Sequence, residues 1–254
     1  MKKLLLVCLM LLVLVGCGAK EEKVNENLEP WETNLIEKGK IYVATSPDYP
    51  PFESLDDNRN IVGFDVDVFN AIASQIDGYE VVWQSMEFDT IVSAVQAGTI
   101  DFGVSGFSYD PEKQVLFTDT YYDAGQTVLV LKDSGIKAAS DLDGKVVAAQ
   151  LGTTCADAAK EYLKAEIKTG TDVGVLVNAL KQGQYDGVVL DTVVAQNYVN
   201  KDSSFVMIDE PLVTDAYSMI TSTNNADLMA KINGILVEFV KTDEYKALID
   251  KWEM

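Results

Sequence analysis

Hydrophobic positions fall into three regimes along the chain. Residues 4–15 form an unbroken apolar run of twelve, directly behind Lys2 and Lys3. Residues 18–30 are polar and show no apolar period. From Lys40 onward, short β-rich runs alternate with segments whose apolar residues recur every three or four positions, which is the mark of strands and amphipathic helices taken in turn. Strands are predicted at 41–44, 81–83, 102–104, 126–131, 145–149 and 187–190. Helices are predicted over 64–76, 88–97, 154–164, 172–181 and 192–199, with a long helical region over 227–252. Two such cycles without a tandem repeat predict an α/β protein of two lobes.

The apolar run at the start is too short to cross a membrane. Twelve residues at about 1.5 Å each reach about 18 Å, against a hydrocarbon core of about 30 Å. A basic start, a short apolar run and small residues after it read as a secretory signal peptide over 1–16. The run closes on Leu14-Val15-Gly16-Cys17, which resembles a bacterial lipobox. That resemblance implies lipidation of Cys17 and a membrane-anchored protein outside the cytoplasm. Residues 17–37 then read as the lipidated cysteine and its tether. Two or three lipid chains hold a protein stably at a membrane, whereas one binds marginally.

Charge narrows the function further. The 254 residues carry 40 Asp and Glu against 20 Lys and Arg, a net charge of −20. Loss of Lys2 and Lys3 with the leader takes this to −22 (18 minus 40). Nucleic acid is excluded as a partner, since phosphate backbones need a basic surface. Histidine is absent, which excludes Ser-His-Asp and Cys-His catalysis and histidine-ligated metal centres. No cofactor and no metal are expected. Arg59 is the single arginine, so a bound anion would be held by lysine, hydroxyls or backbone N–H groups. Cys8 leaves with the leader, and Cys155 then has no intramolecular disulfide partner besides the lipidated Cys17.

The segments that carry chemistry read, in order, PDYPPFE (47–53), VGFDVDVFNAIA (62–73), AVQAGTIDFGVSGFSYDPEK (94–113), FTDTYYDAGQTVLV (117–130), DLDGKVVAAQLGTT (141–154), ALKQGQYDGVVLD (179–191) and YKALIDKW (245–252). Over about residue 38 to the end, this series resembles the extracytoplasmic solute-binding proteins of polar amino acid ABC transporters. The resemblance implies a type II periplasmic-binding-protein fold: two α/β lobes, 38–127 plus 218–254 and 128–217, joined by a two-crossing hinge. It implies a non-enzymatic monomer that encloses an amino acid by closure and delivers it to a permease. Tyr49, Phe52 and Phe88 match aromatics that face the ligand. Ser105, Gly106 and Ser108 match the loop that hydrogen-bonds its α-carboxylate, which Thr153 and Thr154 share at a helix start. Asp191 matches the acceptor of the α-ammonium. Elementary electrostatics agrees: a helix N-terminus favours a carboxylate and a buried carboxylate an ammonium.

One block departs from that pattern. Relatives end the first-lobe loop with Thr-x-x-Arg, whereas this chain has Asp110-Pro111-Glu112-Lys113. Lys113 keeps the positive charge but lacks the planar fork. Ser46 stands where some binders of basic amino acids carry aspartate, with Asp48 two residues on. Three carboxylates near the expected cleft (Asp48, Asp110 and Asp191) favour a neutral polar or cationic ligand. Two other readings stay open. Asp191 and the threonines could merely cap helices, and the scaffold could serve a dehydratase-like enzyme, with Asp110 or Glu112 as acid, or a sensory receptor.

Overall fold

The computed structural model describes residues 29–208 and 210–254. The predicted leader, Cys17 and the first part of the tether lie outside these residues. Residues 30–37, expected as tether, are instead seated on the protein: Trp31 packs against Tyr79 with ring centroids 4.8 Å apart. Asn34 donates to the Asn224 carbonyl, and the Ile36 N–H donates to Asp101.

The chain then runs through β1 (Lys40–Thr45), the short β2 (Asp48–Tyr49), β3 (Glu53–Leu55) and β4 (Ile61–Val62), and α1 (Phe64–Ala73). There follow β5 (Glu80–Ser85), α2 (Phe88–Gln96), β6 (Phe102–Ser108), β7 (Leu116–Phe117) and the long β8 (Tyr122–Leu131). The next stretch holds β9 (Val146–Gln150), α3 (Thr154–Tyr162), β10 (Glu166–Gly170), α4 (Val173–Lys181), β11 (Gly187–Asp191), α5 (Thr192–Lys201) and β12 (Phe205–Met207). The chain returns through β13 (Val213–Thr221) and ends on α6 (Ala226–Phe239) and α7 (Asp243–Lys251). The expected long terminal helix is thus two helices. Thr242 caps the second one by accepting from the Tyr245 N–H, which favours a new start over a continued turn.

Both lobes share one sheet of ten strands, ordered β10-β9-β11-β8-β13-β6-β1-β5, with β12 against β8 and β7 against β13. Each lobe contributes three parallel strands, β5-β1-β6 or β10-β9-β11. The two long strands join them. β8 pairs antiparallel with β13 from Tyr122 to Gln126, then with β11 from Gln126 to Leu129. β13 makes the opposite passage, from β8 over Val213–Tyr217 to β6 over Tyr217–Thr221. The boundaries expected at 127/128 and 217/218 fall inside these strands.

Helices cover both faces, as parallel strands require. One apolar cluster runs the length of the sheet and takes in Phe64, Phe69 and Ile72 of α1, Leu176 and Leu180 of α4, and Ile232 and Leu236 of α6. The opposite face carries a separate cluster in each lobe, under α2 (Phe88, Ile91, Val95) and under α3 (Cys155, Ala156, Ala159). Between these two smaller cores the strand ends of the two lobes face each other.

Candidate functional site

Between those strand ends lies a narrow cleft, little of it open to a molecule the size of water. It lies beyond the carboxyl ends of β1, β6, β9 and β11, where ligands bind in open α/β sheets. Nine of the ten candidate binding residues line it: Tyr49, Phe88, Ser105, Gly106, Ser108, Lys113, Thr153, Thr154 and Asp191. Phe52 does not. It is fully buried behind the wall, with its ring 4.8 Å from Tyr217 and 5.3 Å from Tyr122. The cause is the β2–β3 register, which pairs Tyr49 with Glu53 and turns Phe52 inward between them.

Asp191 is the centre of the polar arrangement. It ends β11 with 6% of its surface exposed, and its Oδ2 accepts the Tyr49 hydroxyl at 2.8 Å and the Tyr217 hydroxyl at 2.5 Å. Its Oδ1 is buried and has no partner among the described residues. Although Asp191 occupies the N-cap position of α5, its side chain makes no capping bond. Burial raises its carboxyl to about 6, the two tyrosine bonds acting against that rise. Tyr49 also accepts the Asp191 N–H at 2.9 Å, so the two strand ends are tied across the cleft.

The threonines divide their roles. Thr153 caps α3: it accepts from the Ala156 N–H and donates to the Gln150 carbonyl at 2.7 Å. Thr154, one residue on, turns its hydroxyl to the cleft. Gly152 before them has φ of +80°, and a Cβ there would stand 3.2 Å from that of Asp89 in the other lobe. The residue is therefore suited to glycine both by conformation and by the close approach of the lobes.

Ser105 donates to Glu53 at 2.7 Å and accepts the Ser46 N–H at 3.1 Å. Glu53 is 1% exposed. Burial, with the Asp65 carboxyl beside it, pushes Glu53 well above the usual carboxylate range. Asp65 in turn accepts the Gly106 N–H at 2.9 Å. Phe88 stacks on Phe107 at 4.8 Å to form the apolar wall. Lys113 lines the cleft, but its ammonium lies 2.9 Å from Asp110, whose carboxyl it holds below its ordinary value.

Asp48 crosses the cleft. Its Oδ2 accepts the Val173 N–H at 2.7 Å and the Gln150 amide at 2.9 Å, while Ser46 donates to its Oδ1 at 2.7 Å. The carboxylate of the first lobe thus sits on the N-terminus of α4 in the second, where free N–H groups favour an anion. Glu53 and Gln150 are not among the residues the sequence singles out, and it is the β2–β3 pairing that sets Glu53 opposite Tyr49. Among the described residues no group of three or more His, Cys, Asp or Glu is arranged to hold a metal.

Two α/β lobes on paired hinge strands, with a polar cleft between their strand ends, define a type II solute-binding protein. The chain belongs to the bacterial extracellular solute-binding proteins, family 3, whose pattern spans residues 41–254. It is 35% identical over 223 residues to the arginine-binding extracellular protein ArtP of Bacillus subtilis, covering 85% of this chain and 86% of that one. A variant of ArgBP from T. maritima superposes with a TM-score of 0.79 at 37% identity, over 84% of this chain and 95% of that chain. An ancestral amino acid-binding protein, a precursor of cyclohexadienyl dehydratase, superposes with a TM-score of 0.78 at 35% identity, over 84% and 95%.

Proposed function

We propose that this protein is a lipid-anchored extracytoplasmic receptor that closes on a cationic amino acid and delivers it to an ABC transporter permease. The observation that carries the reading is the buried, unpartnered Asp191 Oδ1 in the cleft wall. A buried carboxylate oxygen without a donor is costly, and an ammonium seated there relieves it by a charge-assisted bond. Charge favours a cationic side chain over an acidic one. The cleft is lined by Asp48 and Asp191 against Lys113, which Asp110 already engages, while burial pushes Glu53 toward its neutral form. The relatives point the same way, ArtP being named an arginine-binding protein and ArgBP having a solved arginine-bound form.

Tyr49, Asp48 and Gly106 come from one lobe, and Asp191, Gln150 and Thr154 from the other, so each lobe offers half a site. Closure removes water and strengthens every charged contact. The predicted leader and Cys17 supply the export and the anchor. A dehydratase needs a general acid with a raised pKa. Neither acid expected for it, Asp110 or Glu112, lines the cleft, and Asp110 is shifted down rather than up. The lining carboxyls Glu53 and Asp191 are shifted up but already engaged, Glu53 by Ser105 and Asp191 by Tyr49 and Tyr217. Calorimetry on the mature protein with L-arginine, L-lysine, L-histidine, L-glutamine and L-glutamate tests the reading. Arginine or lysine is expected to bind at about 1 μM or tighter, close to −8 kcal/mol. Tighter binding of glutamate, or no response to any of the five, would overturn it.

A further inference from the structure

Behind the cleft wall, one carboxylate oxygen collects donors from three separate segments. Asp215, on β13, is not itself a lining residue. Its Oδ2 lies 2.6 Å from the Ser108 hydroxyl of β6, 3.1 Å from the Thr154 hydroxyl of α3 and 3.1 Å from the Gln126 amide of β8. The same Gln126 amide also donates to Thr154 at 2.8 Å. A hydroxyl has one proton and two lone pairs. The two hydroxyls also lie 3.4 Å from each other. Asp215 is nearer to both, at 2.6 Å and 3.1 Å, and its charge draws both protons, while Thr154 spends one lone pair on Gln126. What they turn to the cleft is lone pairs alone.

The resemblance places Ser108 and Thr154 among the residues around the ligand's carboxylate, and in this arrangement their hydroxyls cannot serve it as donors. We infer that Asp215 is a positioning residue that sets the polarity of the amino-acid end of the cleft. By drawing both hydroxyl protons into the wall, it makes Ser108 and Thr154 acceptors for an ammonium, beside Asp191. The ligand's carboxylate is left to backbone N–H groups at the start of α3 and to Lys113. Charge-assisted bonds are the stronger kind, so the carboxylate holds the orientation better than a neutral amide would. This inference rests on the amino-acid reading of the site.

The test compares Asp215→Asn with the parent protein on three probes: L-arginine, 5-guanidinopentanoic acid, which lacks the ammonium, and agmatine, which lacks the carboxylate. The parent is expected to prefer arginine to the desamino acid by about 100-fold or more. In the variant the hydroxyl protons are free to turn toward the cleft, and that preference should collapse at least tenfold. The preference for arginine over agmatine should stay within about threefold. If Asp215 is merely structural, all three affinities fall together and both ratios hold, which overturns the inference. Should the parent bind none of the three, the amino-acid reading itself has failed. The role of Asp215 is then decided on the free protein by thermal unfolding of Asp215→Asn, Ser108→Ala and the double variant. A double variant no less stable than Asp215→Asn alone supports the coupling of the two residues, and additive losses refute it.

Discussion

Replacing Asp191 by asparagine should move stability and affinity in opposite directions. Asparagine retains an oxygen to accept the Tyr49 and Tyr217 hydroxyls but removes the charge. Burial places the Asp191 carboxyl at about 6 against an ordinary 3.8. A displacement of about two pH units corresponds to ~3 kcal/mol. The folded chain therefore keeps a proton that the unfolded chain has lost between about pH 4 and pH 6, and stability falls as pH rises through that window. The Asp191→Asn change removes this loss, so the ligand-free variant should melt several degrees above the parent at pH 7 and level with it near pH 4. About 3 kcal/mol is the upper bound, since water reaching Asp191 in an open cleft reduces it. Binding should suffer instead. Removing one partner of a buried charge pair costs about 3–5 kcal/mol, a loss of about 100-fold to 1,000-fold or more in Kd. In the parent, affinity should likewise fall as pH drops through about 6 and Asp191 takes up its proton. Differential scanning fluorimetry at pH 4 and pH 7, with calorimetry alongside, reads both effects. A variant that melts below the parent at pH 7 without ligand, or binds within threefold of it, would refute the reasoning.

Three further perturbations probe separate parts of the structure. Val173→Pro deletes the N–H that Asp48 accepts across the cleft, at the first position of α4 where proline is tolerated and after Asp172 at φ −122°, ψ 121°. Loss of that charge-assisted bond, ~1.5–3 kcal/mol, should speed ligand release in stopped flow by about tenfold or more; an unchanged rate would mean that Asp48 does not hold the lobes together. Lys113→Arg supplies the planar fork and should tighten L-arginine binding severalfold in calorimetry, whereas equal affinity would place position 113 out of the carboxylate's reach. Gly63→Ala would set a Cβ 1.9 Å from the Phe52 carbonyl oxygen, so a loss beyond about 4 kcal/mol is expected. A variant with the parent's circular dichroism and melting temperature would contradict that.

What could be read from the chain depended on whether its pattern was local. β1, β6, β9 and β11 are buried parallel strands with continuous apolar runs, and the helices between them carry one apolar face each. β10 was not foreseen, because an edge strand reading Glu-Ile-Lys-Thr-Gly is half solvated and has no run to detect. The two- and three-residue strands β2 to β4 are too short for any period to appear. In the site, the apolar runs ending at Val104 and Leu190 put Ser105 and Asp191 at strand carboxyl ends, where ligands bind in α/β sheets, while their roles and that of Thr154 rest on the resemblance. Phe52 was misplaced because its facing depends on a register between two such short strands. Asp215 and Gln126 were missed for another reason. Their chemistry comes from neighbours far away in sequence, Ser108 being 107 residues from Asp215, and no window along the chain contains it.

The joint between the lobes restricts how they can move. β8 and β13 are ladder-paired at five consecutive positions, from Val213 opposite Gln126 to Tyr217 opposite Tyr122. Sliding one strand along the other, or splaying them, would break that ladder, while its twist can change with the bonds intact, since strand pairs tolerate a broad range of twist. The ribbon thus leaves one soft rotational coordinate and stiffens the rest. Two loosely tethered bodies would surrender several degrees of freedom each time they met, an entropic cost that binding must overcome. Here most of that ordering is already built into the folded chain, and the ligand has only a single torsion left to arrest.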